Sequence, residues 1–167
     1  MGTPSQTFTI RPAEPADRPA IIGLYNWAIN QTFATVDAEP LSEEEAVHWW
    51  ETQIRGAVTF VAEEEGDVIG WTRLLPWSQR GFHVVEDLVY VDPVYQRGGI
   101  GRALLTRAIE AARETGCRTI VATLATDNTP GLRLHQGLGF QVVGTIRHAA
   151  FKFGRWMDLT LVQRSLD

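Results

Sequence analysis

The feature that most constrains the fold is a glycine-rich turn between an apolar strand and an amphipathic helix. Residues 89–91 favour a strand, and residues 92–93 end it because proline has no amide hydrogen for a ladder. After the glycines, apolar residues recur at helical spacing, as Leu104, Leu105, Ala108, Ile109 and Ala112. This pattern predicts a helix that begins near Gly101 and ends near Gly116.

The glycines of this turn are suited to binding an anion. The first turn of a helix presents unpaired N–H groups and the positive end of the helix dipole. Gly98, Gly99 and Gly101 carry no Cβ, so a diphosphate could approach the backbone, and Arg97 and Arg102 add positive charge. The turn predicts a phosphate cradle, and an ordinary turn before a core helix is the alternative.

Two common glycine-rich nucleotide motifs do not fit this turn. No G-x-x-x-x-G-K-[ST] string occurs, and Leu104 stands where a dinucleotide fingerprint needs its third glycine. What remains is Gln96-x-x-Gly99-x-Gly101. This spacing resembles the acetyl-CoA signature of the GNAT superfamily of N-acyltransferases, Q/R-x-x-G-x-G/A.

Composition narrows the class of protein further. A chain of 167 residues with 44% hydrophobic content suits a single domain over residues 1–167. The net charge of −5 argues against nucleic acid and acidic membrane surfaces as partners. Cys117 is the one cysteine, which excludes an intrachain disulfide and suggests a core thiol.

Targeting and metal-binding patterns are not found in the sequence. The first residues lack the charged and apolar regions of a signal peptide, and no run is long enough to span a bilayer. We therefore expect a cytoplasmic protein. The histidines lack partners at metal-ligand spacing, so we expect no metal; they are His48, His83, His135 and His148.

The remaining pattern alternates between strand and helix signals. Asp17 is a candidate N-cap for a first helix, and Ser42 with Glu45 forms a capping box for a second. Pro76 should end the strand that contains it, which leaves residues 77–82 as a loop. Further predicted strands cover residues 7–11, 58–64, 68–75, 119–125, 141–146 and 156–163, and a short helix covers residues 128–138.

The resulting order is β, α, α, three β, α, β, α, β, β. It resembles the GNAT fold, an α/β fold with a mixed, mostly antiparallel central sheet flanked by helices. In that fold, splayed strands form an acetyl-CoA slot. A second motif, N-T-P-G-L-R-L-H-Q-G-L-G-F over residues 128–140, is similar to the family's N-x-x-[AS]-x-x-[LF]-[YH]-x-x-x-G-[FY] helix.

Three further stretches are similar to one branch of the superfamily. Residues 24–26, residues 85–91 and residues 151–159 with Gln163 resemble phosphinothricin acetyltransferases and their amino-acid-sulfone relatives. The resemblance covers nearly the whole chain. It implies an acetyl-CoA-dependent N-acetyltransferase, and relatives in this branch are commonly homodimers.

The resemblance implies two catalytic residues. Glu86 lies on the strand that leads to the cradle, at the position that faces the acceptor, and a half-buried carboxylate there can act as a base. His135 stands where many members carry a tyrosine that protonates the thiolate, and it could serve as acid or second base. A surface ion-paired glutamate and a structural histidine are the alternatives.

The resemblance also implies how acetyl-CoA would be held. Backbone groups of Val89, Tyr90 and Val91 should pair with the pantetheine arm like an added strand. Asn128 is the candidate side-chain contact to that arm. The N–H groups expected to hold the diphosphate are those of Arg97, Gly98, Gly99, Ile100, Gly101 and Arg102.

The acceptor site is implied less directly. Phe33 and Trp77 could wall a pocket beside Glu86, while Arg73 and Arg80 could receive a carboxylate by a bidentate contact. The favoured acceptor is the amine of a small amino acid or analogue, such as phosphinothricin or methionine sulfone. The alternatives are a polyamine, a protein N-terminus, or a non-catalytic module that binds acyl-CoA and regulates a partner.

Overall fold

A seven-stranded mixed sheet forms the centre of the chain in a computed structural model that describes residues 7–78 and 80–167. The strand order is β1-β2-β3-β4-β5-β7-β6. The strands are β1 (Thr9–Pro12), β2 (Val58–Glu64), β3 (Asp67–Ser78), β4 (Gly81–Val91), β5 (Thr119–Ala125), β6 (Gln141–Lys152) and β7 (Arg155–Ser165). β4 and β5 pair in parallel, whereas the other described pairs are antiparallel. The predicted fold class is confirmed.

Four α-helices cover the sheet. They are α1 (Arg18–Gln31), α2 (Glu43–Trp49), α3 (Ile100–Glu114) and α4 (Thr129–Gly137), and a π-helical turn, Trp50–Ile54, follows α2. The predicted order of strands and helices is therefore confirmed. No helix in residues 7–78 or 80–167 has both the length and the apolar character to cross a membrane.

The two faces of the sheet have separate apolar clusters. On one face, α3 buries Leu104, Leu105 and Ala108 against the strands, and Leu105 is fully buried. On the other face, α1 packs Tyr25 against Trp71 of β3 and its neighbours. Truncation of a buried leucine such as Leu105 to alanine would cost about 2–5 kcal/mol of unfolding free energy. The sheet between these clusters holds β4 and β5 in place.

Local sequence signals fixed the ends of two helices as predicted. Ser42 accepts the backbone N–H of Glu45, whose side chain accepts that of Ser42, so the capping box at α2 is complete. After α3, Gly116 has a φ of 78°, and the N–H of Cys117 donates to the carbonyl of Ala112 at 3.0 Å. This is the bonding of a glycine C-terminal cap, and it places Cys117 in the core.

Asp17 occupies the N-cap position of the first helix as predicted, but its side chain has a different role. Its side chain makes no capping bond to α1. The carboxylate instead accepts the backbone N–H of Glu14 at 2.7 Å and pairs with the guanidinium of Arg11 at 2.8 Å. Asp17 therefore closes the 3-10 turn Pro15–Asp17 ahead of the helix and ties it to β1.

Two strand ends also differ from the predictions. β3 does not stop at Pro76 but continues to Ser78, so most of the predicted loop over residues 77–82 is a hairpin. Pairing with β2 ends at Leu74, and the alternation of the ladder turns the Pro76 nitrogen toward that unpaired side, where no N–H is needed. β6 and β7 extend beyond their predicted ends to a tight turn at residues 153–154.

Candidate active site

The central feature of the site is a slot where β4 and β5 part. Their parallel ladder contains Val84 opposite Thr119, Val85 opposite Ile120, and Glu86 opposite Val121. Beyond that last pair the two strands continue without pairing to each other. We call the slot the opening between residues 87–91 of β4 on one side and residues 122–125 of β5 with the following helix α4 on the other, and Glu86 lies at its apex.

The edge of β4 along the slot offers backbone hydrogen-bonding groups. The N–H of Asp92 donates to the carbonyl of Ile69, so alternate residues of β4 turn their backbone toward β3. By this alternation Val89 and Val91 face the slot, whereas the backbone of Tyr90 faces β3. The Val91 carbonyl accepts the Gln96 amide at 3.3 Å. Tyr90 lines the slot, but its main chain pairs with β3 and its ring packs against Tyr25 and Trp71.

The far end of the slot is the glycine-rich turn. Arg97 and Gly99 have φ values of 68° and 80°, both left-handed, and Gly99 is the residue that caps α3. The first helical bond runs from Ala103 N–H to the Gly99 carbonyl at 3.0 Å. The N–H groups of residues 100–102 therefore have no acceptor within the helix and point out of its end.

The glycines of this turn serve different purposes. Gly99 supplies a left-handed conformation, and nothing lies within 4 Å of where its Cβ would be. Gly101 supplies space for packing, since its Cβ would lie 3.3 Å from Cδ2 of Leu134 in α4. Gly98 donates its N–H to the Tyr95 carbonyl at 3.4 Å, so that group is already used in the turn.

Helix α4 forms the opposite wall of the slot. Asn128 caps it by accepting the N–H of Gly131 at 3.1 Å. A Cβ at Gly131 would lie 2.7 Å from Nδ2 of Asn128, so alanine or serine at this position would require the Asn128 side chain to shift. Asn128 both lines the slot and starts the helix.

These walls enclose a cleft of about 790 Å³. Its lining includes eleven of the sequence-predicted residues: Phe33, Val89, Tyr90, Val91, Arg97, Gly99, Ile100, Gly101, Arg102, Asn128 and His135. A narrow slot with a free strand edge and unpaired N–H groups at one end fits an extended arm that carries a diphosphate. The described residues thus fit the group that the glycine motif implies.

Glu86 lies at the apex on the α1 face of the sheet. Thr123 of β5 donates its hydroxyl to Oε1 of Glu86 at 3.3 Å across the point where the ladder stops. Burial raises the pKa of Glu86, while the charge of Arg73 and the Thr123 hydrogen bond oppose the rise, and neighbouring Asp87 adds to it. The carboxyl group is thus harder to ionise than a free glutamate and so a stronger base.

Asp87, one residue on, faces the other side of the sheet and contacts His135. Both side chains are 1% exposed, and Nε2 of His135 lies 3.0 Å from Oδ1 of Asp87. Nδ1 lies 2.8 Å from the Gly131 carbonyl. Burial works to lower the pKa of His135, but the hydrogen bond and charge of Asp87, together with the Gly131 carbonyl, raise it overall.

An aromatic and charged group lies at the mouth of the slot near Phe33. Phe153 packs edge-on against Phe33 at 5.1 Å between ring centroids, and the Arg155 guanidinium lies 3.9 Å above the Phe33 ring. Arg155 also pairs with Asp127. These contacts connect the loop after α1, the β6–β7 turn and the start of α4.

Five predicted site residues are not part of the slot lining: Arg73, Trp77, Arg80, Glu86 and Gly98. Glu86 is connected to the lining through Thr123. Arg73 is 5% exposed and donates Nη2 to Gln53, while Nε and Nη1 have no hydrogen-bond partner among the described residues. Trp77 and Arg80 lie at the exposed end of the β3–β4 hairpin.

Sequence reasoning missed Asp87 and Thr123, the two side chains that bond Glu86 or His135 at the apex. Thr123 belongs to no motif, and Asp87 lies within the stretch 85–91 that resembles the family but had no role assigned to it. Their partners are 48 and 37 residues away along the chain for Asp87 and Thr123, respectively. The alternation of β4 was the one available signal, because it places Glu86 and Asp87 on opposite faces.

Comparison with known proteins agrees with this architecture. The sequence model of the acetyltransferase (GNAT) family matches residues 21–140. An L-methionine sulfoximine/L-methionine sulfone acetyltransferase of Salmonella typhimurium is 40% identical over 163 residues, which is 96% of this chain and 95% of that protein.

Two solved structures share the fold and were determined with acetyl-CoA. An acetyltransferase from Salmonella typhimurium with its cofactor acetyl-CoA has a TM-score of 0.88 and 38% identity, covering 96% of this chain and 95% of that one. A GNAT superfamily phosphinothricin acetyltransferase from Sinorhizobium meliloti, in complex with acetyl-CoA, has a TM-score of 0.87 and 32% identity over 95% and 88% of the two chains. The slot, the glycine-rich turn and these matches together establish that the chain belongs to the GNAT acetyltransferase family.

Proposed function

We propose that this protein transfers the acetyl group of acetyl-CoA to the amine of a small amino acid or a close analogue. One observation carries the proposal. The β4–β5 ladder ends at Glu86, so a half-buried carboxylate lies at the apex of the slot whose other end is the phosphate cradle. The relatives named for methionine sulfoximine, methionine sulfone and phosphinothricin support the choice of acceptor.

Glu86 is the proposed general base. An amine at the apex must lose a proton so that its nitrogen lone pair can attack the thioester carbonyl carbon. Glu86 takes that proton, directly or through one water, the new C–N bond forms, and the C–S bond breaks to release the thiolate. A pKa raised by burial makes the carboxylate a better base near neutral pH.

The departing thiolate also needs a proton. The sequence-based hypothesis assigns that role to His135, and it stays a prediction. His135 lines the slot, which supports the role, but both of its ring nitrogens are already within hydrogen-bond distance of protein groups. Donation to the thiolate would require one of these bonds to open.

The proposed acetyl-CoA site uses the slot from end to end. Val89 and Val91 supply backbone groups to the pantetheine arm, and Tyr90 and Asn128 contact it from either side. The N–H groups of residues 100–102 bind the diphosphate, with positive charge from Arg97 and Arg102. Gly98 and Gly99 shape the turn so that these groups converge.

The proposed acceptor site lies on the α1 face beside Glu86. The β3–β4 register places Glu86 and Tyr90 diagonally on either side of Arg73. A buried guanidinium with two N–H groups that lack described partners is suited to a carboxylate. We propose Arg73 for the acceptor carboxylate and Phe33 for the wall, and we place Trp77 and Arg80 at its outer rim.

A panel of amines tests the acceptor class. Release of free thiol from acetyl-CoA should be measured with methionine sulfone, methionine sulfoximine, phosphinothricin, spermidine and a short peptide. We expect turnover with the amino-acid analogues and none with spermidine or the peptide. Acetyl-CoA binding without thiol release on any amine would instead support the non-catalytic binding module.

Arg73 and Arg80 offer a matched pair for the carboxylate contact. Arg73→Met should raise the KM for the acceptor by about tenfold to a hundredfold, because a charge-assisted pair would be lost from a buried site. Arg80→Met, at an exposed position, should leave that KM within about twofold. The reverse ranking would move the carboxylate contact to the hairpin end.

We also propose that the protein is a homodimer. β6 is an outer strand of the sheet, and exposed apolar side chains cluster on its hairpin with β7: Val142, Val143, Ile146, Phe151, Phe153 and Trp156. A long apolar edge is unfavourable in a monomer and suits a second copy. Light scattering should give twice the 18.6 kDa chain mass. Ile146→Lys should give the chain mass, whereas Val47→Lys, exposed on α2, should not.

We propose that residues 1–167 act as one domain in the cytoplasm. The membership of all seven described strands in one sheet supports the first statement. The single cysteine supports the second, since the fold does not depend on an oxidising compartment. Fractionation of cells with an antibody against the chain tests the location.

A further inference from the structure

The imidazole of His135 and the carboxylate of Asp87 form a buried pair at the slot. The ring lies in α4, the carboxylate in β4, and both are 1% exposed. The Phe140 ring packs edge-on against the imidazole at 4.9 Å between centroids. Among the described contacts of His135, Asp87 is the one charged group.

The partners of the ring determine how many protons it carries. The Gly131 carbonyl can only accept, so Nδ1 at 2.8 Å must carry a hydrogen. The Asp87 carboxylate oxygen at 3.0 Å from Nε2 is also an acceptor, so a second hydrogen must lie between these atoms. A neutral ring would turn a lone pair toward a carboxylate. A hydrogen on the Asp87 carboxyl group would satisfy the same geometry, but the pKa of His135 is raised by the Asp87 hydrogen bond and charge, which favours the hydrogen on the ring. We therefore describe the pair as an imidazolium and a carboxylate, with both ring hydrogens in use.

The Asp87–His135 pair lies where it can connect β4 to α4 on the two sides of the slot. Asp87 is the first residue of β4 after its ladder with β5 ends at Glu86. A chain of hydrogen bonds leads from it to the slot wall: Asp87 accepts from His135, the Gly131 carbonyl accepts from the same ring, and Asn128 accepts from the Gly131 N–H. This chain connects the two walls where no ladder does.

We infer that Asp87 and His135 are positioning residues which hold α4 against β4 and so fix the width of the slot for the thioester arm. This inference rests on the proposed function. Its consequence is that the imidazole orients Asn128 and the slot wall without donating a proton to the thiolate. The thiolate then takes its proton from another source, such as the proton removed from the amine or from solvent.

Three variants separate positioning from proton donation. In Asp87→Asn, the amide can donate to Nε2 of a neutral ring, so the bond survives with its direction reversed while the extra proton is lost. In Asp87→Ala the bond is lost. In His135→Ala both hydrogen bonds of the ring are lost, the one to Asp87 and the one to the Gly131 carbonyl.

If the two residues position the slot wall, activity should depend on the hydrogen bond between residues 87 and 135 and not on the second proton of the His135 ring. Asp87→Asn should keep kcat and the KM for acetyl-CoA within about threefold of the unchanged protein. Asp87→Ala and His135→Ala should raise that KM by about tenfold or more, with a smaller fall in kcat, because a displaced wall weakens binding of the arm. Asp87→Asn is thus the conservative rescue of Asp87→Ala.

Proton donation predicts the opposite pattern. If Asp87→Asn lowers kcat by about a hundredfold with the KM for acetyl-CoA unchanged, the pair is the acid and the inference is overturned. Thermal unfolding of each variant should accompany the kinetics, so that loss of folded protein is not counted as loss of kcat.

A measurement without turnover keeps the inference independent of the acceptor. In ¹⁵N-labelled protein, the ring of His135 should show hydrogens on both nitrogens from about pH 6 to pH 8, and one hydrogen in Asp87→Asn. A ring that titrates near its ordinary value of about 6.5 would overturn the proton count. If no amine is acetylated, the proposed function fails, while acetyl-CoA affinity and these spectra still decide the positioning role.

Discussion

The two ends of the slot are formed by different kinds of chemical group, backbone N–H groups at one end and side chains at the other. At the cradle, backbone N–H groups of residues 100–102 converge because Gly99 takes a left-handed conformation and the helix begins. At the apex, side chains from different elements meet: Glu86 contacts Thr123 of β5, and Asp87 contacts His135 of α4. The proposed cradle would therefore bind through its backbone conformation, whereas the proposed apex would act through individual side chains.

This difference determines what a substitution can do at each end. No side-chain truncation removes a main-chain N–H, so the cradle can be weakened only by strain, bulk or charge. Each apex side chain, in contrast, can be removed alone. We expect substitution of Glu86 at the apex to change kcat and its pH dependence. Substitutions at the cradle, like loss of the Asp87–His135 bond, should instead change the KM for acetyl-CoA.

The largest effect is expected from removal of the proposed base. Glu86→Gln should lower kcat by about a hundredfold to a thousandfold, because an amide cannot take the amine proton, while the KM for acetyl-CoA stays unchanged. Steady-state thiol release gives both values. Glu44→Gln, an exposed glutamate on α2, is the control for loss of one negative charge. If the Glu86→Gln enzyme retained most of its turnover, Glu86 would not be the base.

The next effect tests the cradle. Gly99→Asp should raise the KM for acetyl-CoA by about tenfold to a hundredfold, because a carboxylate would face the diphosphate at a strained position. Gly116→Asp is closely matched: it lies at the other end of α3, has a φ of 78° against 80°, and also has open space around it. Equal changes in KM for both variants would mean that strain alone, and not the anion, accounts for the effect.

A smaller effect should appear in the pH dependence. Arg73 opposes the rise in the Glu86 pKa, so its removal should raise that pKa further. Activity requires the carboxylate, and the acidic limb of kcat/KM for Arg73→Met should therefore move to higher pH by roughly one unit. Arg73→Lys keeps the charge and should leave the limb near its original place. A shift toward lower pH would contradict the sign of this coupling.

The smallest effect concerns stability at the apex. The folded-state pKa of Glu86 is raised, so its ionised form costs stability above the unfolded pKa, and Glu86→Gln should unfold a few degrees higher at pH 7. That gain should vanish below about pH 4. Asp87→Ala should unfold lower than the unchanged protein, because it leaves a buried imidazole with a partner missing. If Glu86→Gln and Asp87→Ala shifted the unfolding temperature in the same direction, this contrast between the two neighbouring residues would be wrong.

The pH dependence of stability has the same sign for His135 as for Glu86, but it acts in a higher pH range. The folded-state pKa of His135 is raised, so the pair contributes stability that is fully present below about pH 6.5 and lost as pH rises through the folded value. Chemical unfolding followed from pH 6 to pH 9 should show this loss. Asp87→Asn, whose ring is neutral throughout, should show a flatter profile.

The glycine-rich turn was predictable from sequence because its determinants are local. A strand, a proline, glycines and a helical stripe follow one another within residues 89–112, and each has a known backbone consequence. The capping box of Ser42 and Glu45 and the glycine cap at Gly116 were local in the same sense. Asp17 occupies the predicted N-cap position but forms no capping bond, because its carboxylate is used by Arg11 on β1 and by the Glu14 N–H.

The apex was only partly predictable because its contacts are long-range. The position of Glu86 followed from the family resemblance, but its bond to Thr123 depends on how β4 and β5 register. The pairing of Asp87 with His135 requires α4 to pack on a particular face of the sheet, which no local pattern specifies. Strand alternation predicts that Glu86 and Asp87 point in opposite directions, but it does not identify their partners.

The brief parallel ladder between β4 and β5 has a consequence for opening motions. It comprises three residue pairs, whereas the β5–β7 ladder comprises seven. Amide hydrogens in this junction should therefore exchange with deuterium sooner than those of the flanking antiparallel ladders, since fewer bonds must break together. Such local opening at the β4–β5 junction would let acetyl-CoA enter the slot along its length. Once acetyl-CoA is bound to both walls, the exchange of these amides should slow.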